Sequence, residues 1–215
     1  ALLVGYSKGA VCCWDVTHKN MIKAIPDAST LPICTVKFTK DKEGGKVWTF
    51  MAADTQGCLN LYILAKQIFS YGLDKQVLLQ GKAGPVLASS VLYTCPVFPH
   101  LSDRFALVAV AAESVTSIVS LEPQVQIVHR LSREPNERVG VLPCLAWRPL
   151  QARDECLVNP VFVNSPDGSL VSSVEAELAR HPTLLVCRGR TLTLLQALPM
   201  DKAELASTVP PPKLP

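Results

Sequence analysis

The sequence predicts an all-β fold made of several small antiparallel sheets. The chain opens with two short apolar runs joined by a polar turn that contains a glycine, and a closely similar pair of runs follows 48 residues later. Farther along, apolar and polar residues alternate over several segments, as they do in half-buried strands. A repeat of about this length is typical of WD-repeat β-propeller blades, which average roughly 40–45 residues. The sequence therefore predicts a partial WD-repeat β-propeller of about four blades.

The first repeat is a predicted β-hairpin. Its turn, Ser7-Lys8-Gly9, can supply the positive φ of a tight connection, because glycine has no Cβ that would clash with the backbone. Its second run ends in Trp14-Asp15, and a strand–turn–strand unit that closes on Trp-Asp is typical of one propeller blade. We expect Trp14 to be a packing residue, whose replacement by alanine would cost about 3–5 kcal/mol if the side chain is fully buried.

The second repeat superimposes on the first without a gap. Gly57 stands where the first repeat has Gly9, and Tyr62 stands where it has Trp14. The polar stretch at residues 40–46 is predicted to be a solvated loop. Two apolar segments between the repeats suit the last strand of one blade and the first strand of the next, residues 21–25 and 33–38.

Weaker copies of the pattern follow. Their predicted strands are residues 105–111, 115–121, 124–131, 142–147, 183–187 and 191–198. Gly189 lies in the predicted turn of the last hairpin, and we expect Trp147 to pack between blades. The residues that carry the structural motif in this interpretation are Gly9, Trp14, Asp15, Gly57, Tyr62, Trp147 and Gly189.

These segments predict the domain organisation. Residues 1–150 would hold about three blades, residues 151–180 an insertion or loop, residues 181–200 a further blade hairpin, and residues 201–215 a proline-rich tail. We expect the chain to be a piece of a larger protein.

Composition narrows the class of protein. Hydrophobic residues make up 48% of the chain, which is enough for a sizeable core. The net charge of +3 is too small, and the basic residues are too dispersed, to predict nucleic-acid binding. No apolar run approaches the roughly 18–20 residues that span a bilayer, so the sequence predicts no transmembrane segment.

The eight cysteines favour neither a metal site nor a disulfide framework. No two of them stand in a Cys-x-x-Cys spacing, and the adjacent Cys12 and Cys13 would point to opposite faces of a strand. Most lie in apolar segments, where a free thiol behaves as a small hydrophobic group. We therefore expect reduced core cysteines and a reducing cytosol.

A search for catalytic residues and cofactor sites yields no candidate. None of the four histidines has a second histidine at metal-ligand spacing or a nucleophile-elbow context: His18, His100, His129 and His181. The glycine- and lysine-containing segments at residues 44–46 and 81–84 lack the spacing of a phosphate loop. We predict no catalytic residue, no cofactor, no metal ligand and no enzyme activity.

Three segments, in order along the chain, resemble one protein family. Residues 2–41 carry a Leu-Leu, Gly, Lys-Gly, Trp-Asp series followed by Cys-Thr-Val-Lys-Phe-Thr, residues 142–147 read Leu-Pro-Cys-Leu-Ala-Trp, and residues 181–190 read His-Pro-Thr-Leu-Leu-Val-Cys-Arg-Gly-Arg. Together they are similar to the propeller of the vacuolar protein sorting-associated protein 8 family. One departure concerns the hydrogen-bond network of WD repeats. The family's Asp-Ala-His is Asp-Ala-Ser here, so the histidine that usually partners a tryptophan such as Trp14 is replaced by Ser29.

The resemblance implies a role in endosomal membrane traffic. Members of this family are large subunits of the CORVET tethering complex, which helps endosomal Rab GTPases to capture vesicles. The implied partners are other tethering-complex subunits and an endosomal Rab GTPase. The implied location is cytoplasmic, peripheral on the endosome or vacuole membrane. The propeller would then be a non-catalytic module that holds a partner through a preorganised surface.

Two other functions stay open from sequence. One is a WD-repeat adaptor of another assembly, such as a ubiquitin ligase. The other is a propeller enzyme that uses the central channel, which would require ionisable residues at the inner starts of adjacent blades.

Overall fold

The computed structural model describes residues 1–41, 47–68, 70–92, 106–122, 124–133, 142–148, 161–165 and 182–198. Within these ranges every regular element is a β-strand, and the strands form four sheets. Contacts divide the chain into two compact units, residues 1–89 with 110–116, and residues 90–109 with 117–215. The first unit holds the first two sheets and the second unit holds the fourth sheet, while strands of the third sheet contribute residues to both.

The first sheet consists of β1 (Leu2–Gly5), β2 (Val11–Asp15) and β3 (Asn20–Ile25), in that spatial order. Both strand pairs are antiparallel, so the predicted first hairpin is confirmed. Its turn contains Gly9 with a φ of 82°, the left-handed conformation that glycine was expected to supply.

The second sheet consists of β4 (Ile33–Asp41), β5 (Val47–Asp54), β6 (Cys58–Lys66) and β7 (Tyr71–Gln80), again in chain order and antiparallel. The predicted second hairpin is β5–β6. β4 runs on to Asp41, so the beginning of the predicted loop at residues 40–46 is strand, and residues 42–46 lie outside the described ranges.

β7 was not predicted from sequence. It is an outer strand whose central residues are exposed, and the charged pair Asp74-Lys75 interrupts its apolar pattern. An edge strand of this kind buries only part of one face, so little of the period-two signal remains.

The third sheet consists of β8 (Val86–Leu92), β9 (Ala106–Ala112), β10 (Val115–Glu122) and β11 (Gln126–Ser132), with the spatial order β8-β9-β10-β11. All seven residues of β9 are buried, which explains its unbroken apolar run. No strand was predicted from sequence for the segment that forms β8.

The fourth sheet has the spatial order β12-β14-β15-β13, formed by β12 (Cys144–Trp147), β13 (Val161–Ser165), β14 (Thr183–Arg188) and β15 (Thr191–Leu198). The hairpin predicted around Gly189 is β14–β15. β13 lies within the segment predicted to be an insertion, and it pairs antiparallel with β15 as the outer strand of this sheet. The rest of residues 151–180 and the tail at 201–215 lie outside the described ranges.

Each unit has its own hydrophobic core. In the first unit, Val11 and Cys13 of the first sheet pack against Phe50 and Tyr62 of the second. The Phe50 and Tyr62 rings stack with centroids 5.3 Å apart, and Phe38 meets Phe50 edge-on at 6.3 Å. In the second unit, the core consists of Leu92, Leu107, Ala109, Ile118, Leu184, Val186, Leu195 and Ala197.

Candidate interaction surface

The β-hairpin turns of the first unit meet the connections between its sheets at one end of those sheets. The segments concerned are residues 6–10, 26–32, 55–57, 81–85 and 113–114, and we call this region the turn end. Backbone hydrogen bonds join the segments: Ser29 N donates to Gly9 O at 3.0 Å, Thr55 N to Pro32 O at 3.0 Å, and Ser114 N to Ala83 O at 3.3 Å. The turn end is therefore one continuous surface with a fixed backbone.

Hydrogen bonds and close packing fix the turn of the first hairpin. The carbonyl oxygen of Tyr6 accepts hydrogen bonds from Gly9 N at 3.0 Å and from Ile33 N at 3.1 Å. A Cβ on Gly9 would collide with the backbone carbonyl of Ser29. Glycine is needed at this position both for its φ and for the close approach of the neighbouring connection.

A buried aspartate organises the turn of the second hairpin. Asp54, only 4% exposed, accepts hydrogen bonds at Oδ1 from Gln56 N and Cys58 N, both at 3.0 Å. Its Oδ2 accepts the Ser29 hydroxyl at 2.7 Å, and the same hydroxyl oxygen accepts Leu31 N at 3.1 Å. A buried carboxylate with these donors around it is well satisfied, so it holds the connection 26–32 on the second sheet.

Tyr62 fixes the same connection from inside the core. Its hydroxyl donates to Ala28 O at 3.1 Å, and Lys75 Nζ donates to the same oxygen at 3.3 Å. Lys75 Nζ also lies 5.9 Å from the centroid of the Tyr62 ring. Burial, which disfavours the phenolate, raises the pKa of Tyr62 to about 12, so its hydroxyl stays a donor at neutral pH.

The connection at residues 81–85 also packs closely against hairpin turns. A Cβ on Gly57 would collide with the carbonyl of Gly84, and both glycines have positive φ, 83° and 81°. The Ser114 hydroxyl donates to Ala83 O at 3.1 Å. The two inter-sheet connections of this unit are therefore pinned to hairpin turns by short contacts.

The outer side of the turn end carries exposed side chains of mixed character. Tyr6 is 41% exposed, which makes it the large aromatic group available on this surface among the described residues. Exposed charged and polar side chains share the turn end with it: Ser7, Lys8, Asp27, Thr30, Thr55, Gln56, Lys82, Glu113 and Ser114. An aromatic anchor with a polar surround on a rigid backbone is the composition typical of protein–protein binding sites.

The predicted motif residues take different places in the fold. Gly9 and Gly57 lie in the turn end. Gly189 lies in the exposed β14–β15 turn, with a φ of 59°, and a Cβ added there would meet no atom within 4 Å. Tyr62 lies in the core of the first unit. Trp147, half-buried on β12, donates from Nε1 to Ser90 O at 3.0 Å within the second unit.

Trp14 differs from its expected burial. It is half-buried, and it lies in register between Leu2 and Met21, which are 51% and 48% exposed. Val11 and Cys13, with alternate positions on β2, face the core instead. The alternation of a strand thus places Trp14 on the opposite face of the sheet.

Asp15 closes the first repeat by capping the turn after β2. Its Oδ1 accepts Thr17 N at 2.9 Å and His18 N at 3.2 Å, and its Oδ2 lies 2.7 Å from His18 Nδ1. The hydrogen bond from the His18 side chain, followed by that from the His18 backbone, lowers the pKa of Asp15. The pair is exposed, so its role is local turn formation.

Ser29 and Asp54 are the residues that sequence reasoning missed. In the WD-repeat pattern position 29 partners the tryptophan, whereas here the Ser29 hydroxyl donates to Asp54 Oδ2 in the second sheet. The signal in the sequence was Asp54 directly before the predicted turn Thr55-Gln56-Gly57, because aspartate before a turn commonly accepts backbone amides.

The cysteine prediction needs a correction. Among the described cysteines only Cys13 is buried, while Cys34 and Cys144 are exposed and the remaining three are intermediate, so they are not a set of core residues. All six are free thiols. Cys95 and Cys156 lie outside the described ranges.

The described residues contain no group of three or more histidine, cysteine or acidic side chains that could hold a metal ion. The same ranges contain no helix long and apolar enough to cross a bilayer. His100 and His181 are not among the described residues.

Several small antiparallel sheets of three or four strands, built mainly from consecutive hairpins, are typical of a β-propeller-type protein. Sequence comparison agrees with the fold. A model of the Vps8 beta-propeller family matches residues 1–209, and the chain belongs to this family. The predicted fold class, a partial β-propeller with four antiparallel sheets as blades, and the predicted family are thus both confirmed.

Two curated relatives are the vacuolar protein sorting-associated protein 8 homologues of Mus musculus and Homo sapiens. Each is 24% identical over 165 residues, which is 75% of this chain and 11% of the relative. The matched region therefore corresponds to a small part of the length of these proteins.

Proposed function

We propose that this chain is a non-catalytic protein-interaction module of a vesicle-tethering complex subunit that acts in vacuolar and endosomal protein sorting. Its partners would be other subunits of a CORVET-type complex and an endosomal Rab GTPase. It would work on the cytoplasmic side, peripheral on the endosome or vacuole membrane. Membership of the Vps8 beta-propeller family supports the proposal, as do the names of the two curated relatives.

The observation that carries the proposal is the turn end. Its backbone is fixed by the Ser29–Asp54 and Tyr62–Ala28 hydrogen bonds, so a partner would meet a surface that loses little conformational entropy on binding. Tyr6 supplies an exposed aromatic anchor, and Lys8 and Asp27 supply exposed charges of both signs within the turn end. Such a site favours specific recognition over catalysis.

The test uses the full-length protein that contains this chain, expressed in its own cells. A double variant, Tyr6→Ala with Lys8→Glu, removes the anchor and reverses one charge without touching the buried hydrogen bonds. We expect the amount of tethering subunits recovered with the protein to fall at least about tenfold. An anchor residue commonly contributes about 2 kcal/mol or more to binding. Quantitative mass spectrometry of the purified complex and the endosomal fraction of the protein are the measurements.

A matched control is Leu73→Ala with Lys66→Glu. Leu73 is 40% exposed, close to the 41% of Tyr6, and Lys66 is also exposed, but both lie on the last two strands of the second sheet, away from the turn end. This control should retain full binding. Recovery of a ubiquitin ligase instead of tethering subunits would contradict the proposal, and substrate turnover by the purified protein would contradict its non-catalytic part.

A further inference from the structure

Two cysteines face each other across neighbouring strands of the fourth sheet. Cys144 on β12 is the direct antiparallel partner of Cys187 on β14. Directly opposed residues project from the same face of a sheet, with Cβ atoms about 4.5–5.5 Å apart. Both thiols are free.

The backbone brings the two cysteines close to disulfide distance. Arg148 N donates to Thr183 O at 2.8 Å, and hydrogen-bonded pairs alternate along an antiparallel ladder. Counting back along the register makes Cys144 and Cys187 a hydrogen-bonded pair, with a Cα separation of about 5.5 Å. Disulfide-bonded cysteines have Cα atoms about 4.4–6.8 Å apart and Cβ atoms about 3.5–4.5 Å apart. The pair meets the Cα condition, whereas its Cβ atoms, about 5.5 Å apart at a hydrogen-bonded position, must approach by about 1 Å, so the disulfide is strained and readily reduced.

Both cysteines lie on the open face of the sheet. Cys144 is exposed and Cys187 is partly exposed, and on the same face of β15 Leu192 is 65% exposed. The other face of these strands, with Leu184 and Val186, is buried in the core of the second unit. A small oxidant in solution can therefore reach the thiols without opening the core.

The other described cysteines lack this arrangement. The cross-strand partners of Cys12, Cys13 and Cys58 are not cysteines, and Cys34 lies where the β4–β5 register shifts, with its thiol directed at the carbonyls of Ala53 and Asp54. Burial also raises the pKa of Cys13 and so keeps that thiol protonated. Cys34 is exposed like Cys144, and it is the natural control.

We propose that Cys144 and Cys187 form a redox-active dithiol that a peroxide converts to a cross-strand disulfide. The more exposed Cys144 sulfur attacks one oxygen of hydrogen peroxide, the O–O bond breaks, and sulfenic acid and one water form. The Cys187 sulfur then attacks the Cys144 sulfur, the S–S bond forms, and the sulfenic oxygen leaves as a second water. Two thiols are oxidised and one peroxide is reduced to two waters.

The disulfide is reversible by a thiol such as glutathione through thiol–disulfide exchange. Exposed disulfides are reduced more readily than buried structural ones, and cytosolic disulfides are commonly transient. When oxidised, the pair ties β12 covalently to the β14–β15 hairpin. Oxidation by peroxide therefore changes the stability of the fourth sheet.

Peptide mapping of the full-length protein tests the proposal. The protein is reduced, freed of reductant, treated with a few equivalents of hydrogen peroxide, and digested without reduction. We expect a linked pair of peptides containing Cys144 and Cys187, about 2 Da lighter than the two free peptides together. Subsequent treatment with glutathione should separate them.

Variants make the assignment specific. Cys187→Ser should leave a sulfenic acid on Cys144 that dimedone traps, whereas Cys34→Ser should leave the Cys144–Cys187 link unchanged. Absence of the link in the wild-type protein, or a link from Cys144 to a different cysteine, would overturn the proposal. The wild-type mapping needs no substitution, so a variant that misfolds does not affect the outcome.

Discussion

Among single residues, Ser29 and Asp54 are central to the turn end. The Ser29 hydroxyl joins Asp54 Oδ2 to Leu31 N, and it thereby ties the connection between the first two sheets to the second sheet. Sequence alone did not predict the pair, because the two residues lie 25 positions apart and meet only through the packing of one sheet on the next. Gly9 and Gly57, in contrast, were predicted from sequence, since a positive φ is a local requirement.

Ser29→Ala should weaken the turn end measurably. The substitution leaves one buried carboxylate oxygen of Asp54 without its donor, and loss of a hydrogen bond to a charged group costs about 1.5–3 kcal/mol. Native-state hydrogen exchange of the peptide covering residues 26–32 measures this local loss. Thr30→Ala, at the exposed neighbouring position, should change exchange by less than about 0.5 kcal/mol. Equal effects of the two substitutions would refute the role assigned to Ser29.

Trp14→Ala should cost less than the roughly 3–5 kcal/mol expected for full burial. Since Trp14 is half-buried, we expect a loss of about 1–2 kcal/mol, proportional to the apolar area that remains covered. Phe50→Ala, at a position that is 0% exposed, should cost about 3–5 kcal/mol. Hydrogen exchange gives the free energy of local opening for each variant, and the two losses can then be compared. If both substitutions cost the same, the face that carries Trp14 is covered in the protein.

His129 on β11 makes stability depend on pH. Burial lowers the pKa of His129 below its usual 6.5, so the unfolded chain binds the proton more readily than the folded chain. The resulting stability is fully present above about pH 6.5 and declines as pH falls toward the lowered folded pKa. Urea midpoints from pulse proteolysis at about pH 5.5 and 7.5 should differ less in His129→Gln than in the wild type. An unchanged difference would exclude His129 as the cause.

At the level of strands and turns, sequence predicted the hairpins well and the outer strands poorly. β1–β2, β5–β6 and β14–β15 each have tight turns with a glycine and apolar runs on both sides, which are local signals. β7 is a mostly exposed edge strand. β13 is separated in sequence from its partner β15 by the whole of β14, so its pairing depends on nonlocal contacts that no local pattern encodes.

The turn glycines should differ sharply in their tolerance of alanine. Gly57→Ala and Gly189→Ala both place a side chain at positive φ, which costs about 1–2 kcal/mol. At Gly57 the new Cβ would also collide with the Gly84 carbonyl, so the backbone of the connection must move, whereas at Gly189 nothing lies within 4 Å. We expect Gly57→Ala to be clearly the more destabilising in urea-dependent proteolysis. Similar midpoints for the two variants would contradict the close packing at the turn end.

For the whole molecule, the principal conclusion is that a propeller of the Vps8 family presents a rigid surface at the turn end of its first unit. Family membership was predicted from three colinear segments, which lie largely in strands and turns of the first, second and fourth sheets. The location of the surface was not predicted, since it depends on which turns and connections come together in space. The residues that make it rigid are Ser29, Asp54 and Tyr62, and the residues that a partner would touch are Tyr6, Lys8 and their exposed neighbours.

Hydrogen exchange of the full-length protein, alone and within the complex purified with it, tests this conclusion most directly. We expect binding to slow exchange in peptides from residues 6–10, 26–32 and 55–57, by about tenfold or more if the surface is buried by a partner. Peptides from the outer strand β7, residues 71–80, should exchange at the same rate in both states. Slower exchange confined to β7, or unchanged exchange rates at the turn end in an intact complex, would contradict the conclusion that the turn end binds the partner.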